Sequence, residues 1–109
     1  MAGTISQGLA RFITDITIDR LPAEVIEMTK LCLLDWLGSA IAGGITRPVQ
    51  MFLRVATDLG GRPQATLIPD GSKTSCHLAA LVNAASSHVV EMDDLHKPSV
   101  LHPAAPVIP

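Results

Sequence analysis

Between His88 and His102 the sequence gathers Glu91, Asp93, Asp94, His96 and Lys97 between two histidines, whereas titratable groups elsewhere are dispersed. A carboxylate beside an imidazole can move protons at neutral pH, and catalytic groups favour loops held by rigid elements. Three readings fit these residue types: a general acid/base site, a divalent-metal site drawing on Asp93, Asp94, His96 and His102, and a helix end carrying solvated charges. The spacing of the would-be ligands matches no compact metal motif. Helical spacing from His88 to Glu91 would place both on one face, one turn apart, if the helix reaches that far.

The elements that must position this segment are mostly helical. Ile5, Leu9, Phe12, Ile13 and Ile16 recur at helical spacing, with Thr4 or Ser6 as a cap. Leu21-Pro22 introduces a second helix that runs to Gly43-Gly44, with Glu24 and Glu27 complementing its positive end. Val25, Met28, Leu33, Trp36, Leu37, Ala40 and Ile41 fill its other faces, so it is expected to be mostly buried, and its small residues from Gly38 onward permit close helix approach. A third helix starts at Pro48 and ends at Gly60-Gly61.

Gln64–Ile68 followed by Pro69-Asp70-Gly71 reads as a short extended segment and a turn, the only strand expected. Ser72 or Thr74 is the expected cap of a fourth helix, whose Leu78, Ala79, Leu81, Val82, Ala85 and Val89 form a core face and whose end delivers Glu91 to Asp94. Beyond it Pro98, Pro103, Pro106 and Pro109 forbid a long helix. The expected class is mainly α, with one extended segment near residues 64–68.

With 109 residues the chain can bury one modest core, built from aliphatic side chains because only 3% of residues are aromatic. Eight basic residues against ten acidic ones, scattered singly, argue against nucleic acid as a partner. Cys32 and Cys76 lack CxxC spacing and are expected to be buried, reduced thiols. The N-terminus lacks a secretory pattern, and the most apolar stretch, Leu31 to Gly44, is short and contains Asp35, so no membrane association and a cytoplasmic location are expected. The apolar ending Ala-Pro-Val-Ile-Pro109 suggests that the natural protein continues.

The run His88-Val-Val-Glu-Met-Asp-Asp-Leu-His96-Lys-Pro-Ser-Val-Leu-His102-Pro103 closely resembles the active-site segment of the MmgE/PrpD family, which includes 2-methylcitrate dehydratase, cis-aconitate decarboxylase and iminodisuccinate epimerase. Leu33-Leu34-Asp35-Trp36-Leu37-Gly38, Ala40-Ile41-Ala42-Gly43 and Leu81-Val82-Asn83-Ala84-Ala85 resemble the family's upstream helices. The resemblance implies that residues 1–109 form the N-terminal portion of an all-helical domain, incomplete and without the family's lid domain, in an enzyme that commonly forms homodimers.

By the same resemblance Glu91, Asp93 and His102 are the implied catalytic residues. Asp94, His96 and Lys97 are the implied substrate-binding ones, and no metal or organic cofactor is implied. The implied activity is that of a lyase moving a proton next to a carboxylate of a small di- or tricarboxylate, foremost the dehydration of 2-methylcitrate or a related acid. A decarboxylase or epimerase of the same family, or a truncated helical interaction module, are the alternatives, and the chain by itself is expected to be inactive. Two departures stand out: Glu91 occupies a position where several members carry Asp, and the loop between Asp94 and His102 varies.

Overall fold

Helix α1, Ile5–Asp15, starts where local chemistry favours it: the Thr4 hydroxyl accepts from the Gln7 amide at 3.2 Å, and the Gln7 side chain accepts from the Thr4 amide at 2.9 Å. This reciprocal pair satisfies two donors that a helix start leaves open. In the computed structural model, which describes residues 3–109, the chain divides into two units, Met1–Lys30 and Leu31–Pro109. The first unit holds α1, a 3-10 turn at Ile18–Arg20 and the start of α2, and Ile5, Leu9, Phe12 and Ile13 of α1 are exposed.

Helix α2 runs Ala23–Gly44 and stops at the expected glycines. Its expected burial is not observed: Trp36, Ser39, Ala40, Gly43 and Gly44 are its buried residues, while Met28, Leu31, Leu33, Leu34 and Ile41 are exposed. The buried residues all lie in its C-terminal half. There a Cβ on Gly43 would overlap the Ser86 carbonyl oxygen, and Ser86 Oγ donates to the Ala40 carbonyl at 2.6 Å. Glycine at 43 is therefore a condition of this helix contact. The open carbonyls at the end of α2 are met by the next segment, where the Thr46 hydroxyl donates to Gly43 O and Gln50 Nε2 to Gly44 O, both at 2.7 Å.

Helix α3, Arg47–Leu59, carries Pro48 in its first turn and ends at Gly60, whose φ of 65° suits glycine. Strand β1, Ala65–Thr66, falls within the expected extended segment. It pairs antiparallel with a second strand that the sequence did not suggest, β2, Lys73–Thr74, with Ala65 opposite Thr74 and Thr66 opposite Lys73. A strand of two residues is too short to show alternation, and its pairing is set by the turn around Gly71, where Asp70 Oδ1 accepts from both the amide and hydroxyl of Ser72.

Because Thr74 belongs to β2, helix α4, Cys76–His88, is preceded not by either expected cap, Ser72 or Thr74, but by Ser75, whose hydroxyl makes no cap bond. Val49, Leu53 and Ala56 of α3 pack with Leu78, Ala79 and Val82 of α4 and with Leu67 into the core. Asn83 fastens the hairpin to α4, its Oδ1 accepting from Ile68 N–H at 2.9 Å and its Nδ2 donating to Thr66 O at 3.0 Å. A last helical turn, α5, Ala104–Val107, buries Ala104 and Ala105. Cys76 is exposed and Cys32 half-buried, so the expectation of two buried thiols fails at Cys76, at the open first turn of α4. Among the described residues no helix is long and apolar enough to cross a membrane.

Candidate active site

The geometry of the site follows from where α4 ends. Its last helical residue is His88, and the Val89 amide closes the final turn on Ala85 O at 3.1 Å. The Glu91 amide then bonds back to His88 O at 2.9 Å, and Glu91 takes a φ of 51°, a left-handed conformation uncommon outside glycine. The helix therefore does not reach Glu91, so the shared helical face expected for His88 and Glu91 does not form. The reversal instead directs Asp93 inward, and its side chain is completely buried.

Asp93 stands between two imidazoles. Its Oδ2 lies 3.0 Å from His88 Nδ1, and its Oδ1 lies 3.4 Å from His102 Nδ1. The first contact is a hydrogen bond; the second lacks hydrogen-bond geometry, leaving both Asp93 Oδ1 and His102 Nδ1 buried without a hydrogen-bond partner among the described residues. With Asp93 ionised its carboxylate only accepts, and His88 Nδ1 is then the donor of the first bond. The two rings meet edge to face, with centroids 4.9 Å apart at 65°. The side chain of His88 is half exposed and that of His102 about a third. An apolar groove of about 490 Å³ opens beside this cluster, lined by Leu81, Ala85, Val89, Ala105 and Pro106, with His88 as a polar lining residue.

Asp94 Oδ1 accepts from the Ala104 amide at 3.0 Å, which ties the start of α5 to the residue next to Asp93. The loop between them closes on itself: the His96 amide donates to Leu101 O at 2.8 Å, and His96 Nδ1 meets Ser99 Oγ at 2.7 Å. Val100 at the turn is exposed and has a φ of 51°. Such a conformation costs a β-branched residue about 1–3 kcal/mol.

Of the residues singled out in the sequence, the structure thus brings Asp93 and His102 together. Glu91, His96 and Lys97 are exposed, and among the described residues the side chains of Glu91 and Lys97 form no hydrogen bond or ion pair. His88 is the site residue the sequence did not single out as catalytic. Its signal was its place at the end of an apolar helical face, five residues before Asp93.

The same cluster is where a metal could bind: donor atoms of His88, Asp93 and His102 all lie within 4.8 Å of one another. This is not the ligand set considered from the sequence, since Asp94 is engaged with Ala104 and His96 with Ser99. Two imidazoles and a carboxylate form a known donor set for divalent ions. The protonated Nδ1 of His88 facing Asp93 already accounts for the shorter contact without an ion.

The family model of the MmgE/PrpD N-terminal domain matches residues 7–109. A cis-aconitate decarboxylase-like protein of Aspergillus oryzae is 23% identical over 107 residues, covering 98% of this chain and 22% of that protein. The cis-aconitate decarboxylase of Aspergillus terreus is 24% identical over 105 residues, covering 96% of this chain and 21% of that protein. The chain spans about a fifth of the length of the curated relatives it matches. No solved structure matches it.

Proposed function

The chain belongs to the MmgE/PrpD family, and from that premise we propose that it supplies the acid/base part of the active site of a lyase acting on a small di- or tricarboxylate. The observation that carries this reading is the wholly buried Asp93 carboxylate set behind His102, with the His102 ring still partly exposed. A buried acid behind a reachable imidazole is an arrangement for holding the ring in one tautomer and one orientation while its outer nitrogen exchanges protons.

In a dehydration, a base takes a proton from the carbon next to a carboxylate, the C–H pair becomes the new double bond, and an acid gives a proton to the departing hydroxyl. Two proton-carrying groups suffice, and we assign them to His102 and Glu91. Asp93 orients His102 from behind. Lys97 and His96, both exposed on the neighbouring loop, are assigned to the substrate carboxylates, with further cations supplied by the rest of the protein. Asp94 serves this scheme by anchoring α5.

Dehydration of 2-methylcitrate or a related hydroxy acid is the reaction we favour for the full-length protein. Decarboxylation is the second reading, favoured by the names of the Aspergillus relatives. The same proposal takes the chain as the N-terminal portion of the helical domain of a homodimeric, cytoplasmic enzyme without a metal or organic cofactor.

The test is to assay the full-length protein on 2-methylcitrate, cis-aconitate, citrate and iminodisuccinate. Turnover of one of these acids, lost on His102→Gln, supports the reading. No turnover of any would overturn it in favour of a helical interaction module.

A further inference from the structure

We propose that His88 is a positioning residue of this site: by holding Oδ2 of Asp93 it reserves Oδ1 for His102. The inference rests on the acid/base reading of His102 given above.

The carboxylate of an aspartate turns about a torsion that is broad and two-fold, so burial alone does not decide which oxygen faces which neighbour. The 3.0 Å hydrogen bond from His88 Nδ1 fixes that plane. Among the described residues Oδ1 then has no hydrogen-bond partner, and the atom it faces at 3.4 Å, His102 Nδ1, has none either. Two orphaned polar atoms buried against each other are costly as they stand and become a charge-assisted pair when His102 carries a second proton. A small turn of the His102 ring together with a closer approach makes that bond. The device thus stabilises the imidazolium that forms when His102 takes a proton at its outer nitrogen.

His88 is well placed for this task. As the last residue of α4 it belongs to a regular helix, and its carbonyl accepts the Glu91 amide that starts the reversal. Its ring also packs edge to face on the ring it serves. Its exposed edge lines the apolar groove, which raises a rival role in direct proton transfer to substrate.

The two roles separate by substitution. Asparagine places an amide donor near the position of Nδ1 but cannot transfer protons, glutamine reaches instead toward the outer nitrogen, and alanine offers neither. In the full-length enzyme, assayed on 2-methylcitrate and on cis-aconitate, His88→Ala and His88→Gln should lower kcat on the order of tenfold to a hundredfold with KM little changed. His88→Asn should recover most of the rate.

A readout without turnover accompanies these rates. The 15N shifts of the His102 ring should report the Nδ1-protonated tautomer in the wild type and in His88→Asn, and a tautomer mixture in His88→Ala or, should that variant not fold, in His88→Gln. Wild-type rates and tautomer in the alanine and glutamine variants would overturn the proposal, as would an asparagine variant as slow as the glutamine one. If instead His102→Gln leaves turnover unchanged, the acid/base reading itself fails while the tautomer measurement still judges His88.

Discussion

Asp94 Oδ1 accepts the backbone N–H of Ala104 at 3.0 Å, so the acid beside Asp93 holds the chain two residues beyond His102. The two residues proposed to act together, Asp93 and His102, are thereby held from both sides: Asp93 by its neighbour's grip on α5, and His102 by the helical turn so gripped. We propose this anchoring as the task of Asp94, in place of the substrate binding implied by the resemblance.

Asp94→Asn keeps an acceptor for the Ala104 amide and should preserve stability and rate in the full-length enzyme. Asp94→Ala should cost about 0.5–2 kcal/mol, the usual loss when a helix start forfeits its side-chain acceptor. It should also lower kcat more than it raises KM. Denaturant unfolding and steady-state kinetics check this, and a KM effect dominating in both variants would return Asp94 to substrate binding.

Gly43→Ala should destabilise the protein by about 1–3 kcal/mol, since the added carbon meets the backbone carbonyl of Ser86 and two helices must separate to admit it. The alanine would ordinarily favour the helix, so the sign of the change distinguishes tertiary packing from propensity. A thermal melt of the variant decides it.

Val100→Gly should stabilise the protein by about 1 kcal/mol, because the exposed valine loses no buried contact and the left-handed conformation no longer costs a branched side chain. Unfolding midpoints measure this. Unchanged or lower stability would mean that the turn is held by contacts the valine itself makes in the complete protein.

Chelation should leave turnover unchanged. The donor triple of His88, Asp93 and His102 has the composition of a divalent site, yet its 3.0 Å contact is satisfied as a hydrogen bond once Asp93 is ionised and His88 Nδ1 donates. Assay after exhaustive dialysis against EDTA, with elemental analysis of the purified protein, checks the expectation. Activity lost on dialysis and restored by a divalent cation would assign the cluster to metal.

Features that depend on near neighbours could be read from the residues alone. The cap at Thr4, one of the two residues expected for it, the start of α3 one residue before Pro48 and its end at Gly60, and the stop of α2 at Gly44 each follow from one side chain or one backbone freedom acting within a turn. The concentration of acids and histidines between 88 and 102 was likewise visible, and so was the family resemblance it carries.

Pairings were not visible. Strand β2 exists because a turn brings Lys73 and Thr74 back to β1, and two residues carry no periodic signal of their own. The burial of α2 depends on how much of its surface finds a partner, which its apolar composition cannot state.

At the site the decisive event is a helix that ends at His88 instead of continuing through Glu91. Residue types supplied an acid and imidazoles in one segment. The left-handed turn at Glu91, the burial of Asp93 beneath it and the return of His102 just ahead of α5 determine which imidazoles meet which carboxylate, because those contacts exist only once the backbone reverses.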